Sequence, residues 1–228
     1  MIVAVAANMQ YAMEDLSIVF EKKYGIKVEI SSASSGVLTT QIKQGAPFDL
    51  FISANMRYPN LLFQENLTVD TPEVYAHGSL VLWTMKGVDI SKGLACLLED
   101  NVKKIAIANN ETAPYGIAAF EALKNKGYLD SISSKLIYGE SVGQVNQYIM
   151  SKSVDIGLTS KSVLFSPKIK GKGHYIEIDT SLYKPIYQGI VMLMNAKEKN
   201  LKNAELFYNF MFSVEAKEVL TKYGYEIK

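Results

Sequence analysis

Five short stretches of this chain combine small, neutral, donor-bearing residues at the places where an apolar strand ends: Ala7-Asn8-Met9, Ser34-Ser35-Gly36, Ala113-Pro114-Tyr115-Gly116, Ser141-Val142-Gly143 and Leu158-Thr159-Ser160. None contains lysine, arginine or histidine. The chemistry open to such residues is capture of an anion. The first backbone N–H groups of a helix have no partner inside it, and the aligned peptide dipoles place about half a positive charge there. A helix start is therefore a ready anion site. Four converging starts supply about two positive charges, enough for a dianion without any cationic side chain. Backbone N–H groups only donate, so a fully deprotonated oxyanion suits them all, whereas a protonated one needs an acceptor for its own hydrogen. Glu111 and Glu140 are near enough in sequence to act as that acceptor. Taken singly, Asn8, Ser34 and Ser35 read first as helix caps. Tyr115 reads as an aromatic packed on a helix start, and Val142 as a core residue with only its backbone N–H to give. The recurrence is what points to a ligand.

Composition narrows the alternatives. The chain has 228 residues, 48% hydrophobic and 21% charged, as in an ordinary globular protein of one large domain or two lobes. Its net charge is +1, from 24 basic and 23 acidic residues, which makes no electrostatic case for nucleic acid. Arg57 is the only arginine, so forked guanidinium recognition of phosphate is not available. One cysteine, Cys96 in an apolar run, excludes an internal disulfide. His77 and His174 form no local metal motif. Ser35 has no identifiable base, and no phosphate-binding loop, zinc-protease or nucleophile-elbow motif is present, so the chain is expected not to be an enzyme and to need no cofactor. Met1 to Ala7 is too short and lacks the basic leader of a signal peptide, and reads as a first strand.

The elements that must position these residues follow from periodicity. Ile2 to Ala6 is a continuous buried strand. Met9, Ala12, Met13, Leu16, Val19 and Phe20 give a helix ended by Gly25. Lys27 to Ser32 is a strand, Val37 to Gln44 a helix, Asp49 to Ser53 a strand and Arg57 to Gln64 a helix. This alternation predicts an α/β lobe built on a parallel sheet, with ligands bound at the carboxyl ends of its strands. Leu80 to Met85 is a strand without a helix after it. A second series follows: strand Lys104 to Ala108, helix Ile117 to Lys126, strand Lys135 to Tyr138, helix Val142 to Met150 and strand Asp155 to Thr159. The chain ends with a strand Gly189 to Met194 and helices Ala204 to Phe212 and Val214 to Tyr223. One lobe is thus interrupted by another, with crossings expected near Tyr75 to Gly78 and Tyr183 to Gln188. Ser166 to Gly173, rich in lysine and glycine, reads as a solvated turn.

Ala6-Ala7-Asn8, Ser32-Ala33-Ser34-Ser35-Gly36, Gln44 to Ala54 with its Gly-Ala-Pro-Phe-Asp-Leu-Phe-Ile-Ser-Ala run, and the ending Lys222-Tyr223-Gly224-Tyr225 resemble the periplasmic molybdate-binding proteins of ABC transporters. The resemblance covers nearly the whole chain. It implies the two-lobed type II periplasmic binding protein fold, residues 1–77 with 187–228 as the first lobe and 78–186 as the second, hinged at the two crossings. It implies molybdate or tungstate as ligand, an ABC permease as partner, a monomeric chain, no nucleic acid and a periplasmic location with the signal peptide removed. The implied oxyanion ligands are Asn8, Ser35, Tyr115, Val142 and Ser160, acting through N–H and O–H groups and not as direct metal ligands. Asn8 and Ser160 depart from the family's usual residues: Asn8 still brings a side-chain donor, while Ser160 is shorter than the tyrosine often found there. The alternatives are a binding protein for sulfate, phosphate or another small anion, and the effector-sensing domain of a regulator.

Overall fold

A computed structural model describes residues 1–227. In chain order the elements are β1 (Ile2–Ala6), α1 (Gln10–Tyr24), β2 (Glu29–Ala33), α2 (Ser35–Lys43), β3 (Leu50–Ser53), α3 (Arg57–Gln64), β4 (Glu73–Gly78), β5 (Leu80–Thr84), β6 (Ile105–Ala108), α4 (Pro114–Asn125), α5 (Leu129–Ile132), β7 (Leu136–Gly139), α6 (Val142–Met150), β8 (Ile156–Ser160), β9 (His174–Glu177), β10 (Ile186–Met192), α7 (Met194–Lys199), α8 (Leu201–Phe210) and α9 (Val214–Lys222). The chain divides into two compact units, Met1–Gly78 together with the segment from Tyr187 onward, and Ser79–Ile186.

The first unit is built on a five-stranded sheet in the order β2-β1-β3-β10-β4. β1 pairs parallel with β2 and β3, and β10 runs antiparallel to β3. The sheet is therefore mixed, where the strand–helix alternation predicted a parallel one. The reason is that β10 enters from the other end of the chain's excursion rather than through a crossover helix. Ile-Val-Ala-Val-Ala in β1 is buried from Val3 to Ala6, as a central strand covered on both faces must be. Leu38 of α2, Leu62 of α3, Ala4, Phe51 and Val191 form one fully buried cluster. Phe20 of α1 meets Phe207 and Phe210 of α8 at ring distances of 4.8 and 5.3 Å. A buried phenylalanine stabilises by about 2 to 3 kcal/mol. Gly25 closes α1 at φ 69°, its N–H bonded to the Glu21 carbonyl.

The second unit has the sheet order β7-β6-β8-β5-β9, also mixed: β6 is parallel to β7 and β8, and β5 is antiparallel to β8 and β9. β5 is buried throughout, and its Trp83 donates to the Lys172 carbonyl at 3.0 Å. Two glycines let helices seat on this sheet. A Cβ on Gly157 would lie 2.7 Å from Ile149 of α6, and one on Gly116 only 2.4 Å from the Ala108 carbonyl oxygen of β6. β9, α5 and α7 are elements that periodicity did not predict. β9 is a short, largely exposed edge strand with little apolar pattern, and α5 and α7 have four and six residues. The lysine-rich turn before β9 is not wholly solvated, because Ile169 within it is buried. The unit boundaries, Gly78 to Ser79 and Ile186 to Tyr187, fall at the end of β4 and the start of β10.

Candidate functional site

In the first unit the predicted ligands stand at one edge of the sheet. Asn8 follows β1 in a single 3-10 turn, Ser35 follows β2 as the first residue of α2, and Ala54 follows β3. These three strands are neighbours and parallel, so their carboxyl ends deliver the three loops together. β2 extends through Ala33, so the serine-rich turn expected from the sequence shrinks to Ser34 alone. The first bond within α2 runs from the Leu38 N–H to the Ser34 carbonyl at 3.0 Å. The N–H groups of Ser35, Gly36 and Val37 therefore precede the helix ladder. No side chain caps them, and no acidic residue stands in the first turn. The Ser34 hydroxyl is buried, makes no cap bond and has no hydrogen-bond partner, although serine at this position ordinarily caps.

Ser35 is fully buried, and its Oγ accepts from the Ala54 N–H at 3.0 Å. With that lone pair used, the hydroxyl hydrogen remains to be donated. Asn8 departs from the expectation of a side-chain donor. Its Nδ2 gives one hydrogen to Gln188 Oε1 and the other to Tyr225 Oη, each at 2.8 Å. A carboxamide nitrogen has only two hydrogens, so Asn8 can approach a ligand as a donor only through its backbone. Tyr225 returns a bond to the Asn8 carbonyl at 3.1 Å, and Gln188 Nε2 donates to the Ala54 carbonyl at 3.3 Å. Gln188 thus joins the loops after β1 and β3, and Tyr225 ties the end of the chain to the first of them. Sequence reasoning missed both. The signal for Gln188 was a polar residue opening an apolar strand; Tyr225 stood in the ending already noted for its resemblance.

The second unit repeats the plan. Tyr115 follows β6, Val142 follows β7 and Ser160 ends β8, again three adjacent parallel strands. All three residues are buried. α4 begins with Pro114, which has no N–H to leave unpaired, and its first ladder bond is Ile117 N–H to the Ala113 carbonyl. The Gly116 contact with the Ala108 carbonyl pins this start to β6. The Asn109 N–H donates to the Gly139 carbonyl at 2.7 Å, tying the ends of β6 and β7. α6 is capped differently: Ser141 Oγ accepts from Gln144 N at a long 3.5 Å, and Gln144 Oε1 accepts from Glu140 N at 2.8 Å. That reciprocal pairing resembles a capping box and leaves the Val142 and Gly143 N–H groups ahead of the ladder. Thr159 Oγ1 donates to Asn146 Oδ1 at 2.6 Å, fixing β8 to α6. Ser160 Oγ accepts from Ser162 Oγ at 3.1 Å. Neither α4 nor α6 has a carboxylate in its first turn. Arg57 lies 5.4 Å from the Tyr58 ring centre. Among the described residues no group of three or more His, Cys, Asp or Glu could hold a metal ion. Each edge is a set of neutral donors.

Residues 1–226 match the bacterial extracellular solute-binding protein family. The chain is 34% identical to the molybdate-binding protein ModA of Azotobacter vinelandii over 227 residues, which cover 99% of this chain and 89% of that one. It is 33% identical to the ModA of Rhodobacter capsulatus, over 98% of this chain and 87% of that one. The solved periplasmic molybdate-binding protein of Azotobacter vinelandii superimposes with a TM-score of 0.94 at 31% identity, covering 100% of this chain and 99% of that chain. The fold of two mixed α/β units is what the solved relative shares with it, and the chain belongs to the bacterial extracellular solute-binding proteins.

Proposed function

We propose that this protein captures a tetrahedral oxyanion, molybdate or tungstate, outside the cytoplasmic membrane and delivers it as a monomer to the permease of an ABC transporter. Its role is binding, without catalysis. The observation that carries this reading is the start of α2, where three N–H groups precede the ladder, no side chain caps them, and the buried Ser34 hydroxyl has no partner. The two similar ModA proteins are molybdate-binding proteins, which makes molybdate the anion of choice. Ser35 gives its hydroxyl and N–H, and Asn8 its backbone N–H, from the first unit. Tyr115 and Val142 give backbone N–H groups from the second, and Ser160 its hydroxyl. Donors of this kind bind a dianion without cations, and selection against sulfate comes from the size of the ligand they surround.

A thermal-unfolding panel with molybdate, tungstate, sulfate, phosphate and thiosulfate tests it. A ligand at a thousand times its dissociation constant stabilises the native state by about 4 kcal/mol. For a chain of this size that corresponds to a rise of roughly 8 to 16 °C. The expected result is a rise of this order with molybdate or tungstate and little with the others. No rise with either heavy oxyanion refutes the proposal, and a rise confined to sulfate or phosphate replaces its ligand.

A further inference from the structure

We infer that Gln188 is a positioning residue for the anion site, acting on the ligand through Ala54 and Ser35 without touching it; this rests on the function proposed above. Gln188 is fully buried on β10. Its side chain links the loop after β1 to the loop after β3: Oε1 accepts from Asn8 Nδ2 at 2.8 Å, and Nε2 donates to the Ala54 carbonyl at 3.3 Å. Ala54 in turn donates its own N–H to Ser35 Oγ at 3.0 Å. The chain of contacts therefore runs from Asn8 through Gln188 and Ala54 to the hydroxyl that faces the anion.

The chemistry of each link fixes a direction. Ser35 Oγ can rotate, and a hydroxyl that accepts from Ala54 must turn its hydrogen elsewhere. The Ala54 N–H keeps its aim only while the peptide on its carboxyl side is held, and Gln188 Nε2 holds that carbonyl. Gly189, the next residue, lets this loop lie close: a Cβ there would meet Met56 Sδ at 2.7 Å and the Asn55 carbonyl oxygen at 3.3 Å. A buried carboxamide with donor and acceptor both used is a rigid spacer, since freeing either end leaves a buried polar group without a partner. Gln188 is also the second residue of the first unit after the chain returns from the other, so the strand that re-enters the unit carries the side chain that sets its donors.

The test is a double-mutant cycle read by calorimetric titration with molybdate, on Gln188→Met, Ser35→Ala and the double variant. Methionine keeps length and volume but forms neither hydrogen bond. Expected are a roughly 10- to 50-fold loss of affinity for Gln188→Met alone and less than a threefold further loss when it is added to Ser35→Ala, because the path to the ligand is already cut. Equal losses in both backgrounds would mean a structural effect only and overturn the inference. Should Gln188→Met fail to fold, Gln188→Ala, which leaves room for a bridging water, takes its place in the same cycle. Absence of both molybdate and tungstate binding by the unaltered chain would overturn the proposed function and this inference with it, and a chain that binds only tungstate is titrated with tungstate in the same cycle. Binding by the unaltered chain with additive losses overturns the role of Gln188 alone.

Discussion

Replacing Ser35 by alanine separates two contributions that the serine makes at once. In the liganded protein the change deletes one hydroxyl donor to a charged oxyanion. A hydrogen bond to a charged partner is worth about 1.5 to 3 kcal/mol, so the dissociation constant should rise by roughly ten- to a hundred-and-fifty-fold. In the free protein the same change strips the Ala54 N–H of its acceptor at 3.0 Å in a fully buried position. A buried donor left alone costs about 1 to 3 kcal/mol. Ser35→Ala should therefore lower the melting temperature without ligand as well as the affinity, and isothermal titration alongside ligand-free unfolding reads the two apart. The N–H groups at the start of α2 survive the substitution, so binding weakens and is not abolished. A dissociation constant unchanged within twofold, with the stability loss present, would show that the Ser35 hydroxyl serves only Ala54 and would remove it from the ligand set.

Two other perturbations test what holds these edges in place. Gly116→Ala puts a Cβ only 2.4 Å from the Ala108 carbonyl oxygen, and backbone cannot swing aside as a side chain can; overpacking of this sort costs about 1 to 3 kcal/mol or more, so a lowered melting temperature and weakened molybdate binding are expected, and unaltered values of both would refute the close seat of α4 on β6. In the first unit Lys23 holds the Glu215 carboxylate, and together with the N–H of Glu215 and the Ser213 hydroxyl lowers its pKa from the usual 4.5 to about 2. A depressed carboxylate contributes stability that is complete above its unfolded pKa and is lost as pH falls through the folded one, so the difference in melting temperature between the parent and Glu215→Gln should be present near neutrality and vanish between pH 4.5 and about 2; a difference independent of pH would disprove the link.

The places of the expected donors in the fold were more legible in the sequence than the partners of their side chains. Asn8, Ser35, Tyr115, Val142 and Ser160 sit at strand ends because strands in this chain are apolar runs closed by small polar residues, a pattern that period and composition expose. Ser160 lies inside β8, one residue beyond the strand's predicted end, which moves its register and not its place at the edge. The sense of the sheets was hidden. β10 and β5 read as ordinary apolar strands, and nothing in Gly189 to Met194 or Leu80 to Met85 states whether a partner runs with or against them. The state of Asn8 was hidden for a different reason. Whether an amide is free depends on residues far away in sequence, here Gln188 and Tyr225, 180 and 217 positions on. A pattern of near neighbours cannot report contacts of that range.

That Ser34 and Ser35 could be plain caps was the strongest alternative in the sequence; neither side chain caps α2, and a charge placed at position 35 tests the anion site instead. Ser35 is fully buried. At an ordinary buried position, Ser35→Asp would force a carboxylate into the interior, at a cost of several kcal/mol unless it is protonated or paired. At an anion site the outcome reverses. The carboxylate meets the N–H groups of α2 that precede the ladder, the Ala54 N–H and the positive end of the helix dipole. That dipole alone favours a negative group by about 0.3 to 1 kcal/mol and by up to about 2 where partly buried. The substituted side chain then takes the place of part of the ligand. Ser35→Asp is expected to keep or raise the ligand-free melting temperature while abolishing molybdate binding, because two negative groups would compete for one set of donors. A protein that unfolds more readily after this substitution, or that still binds molybdate, would take position 35 out of the anion site.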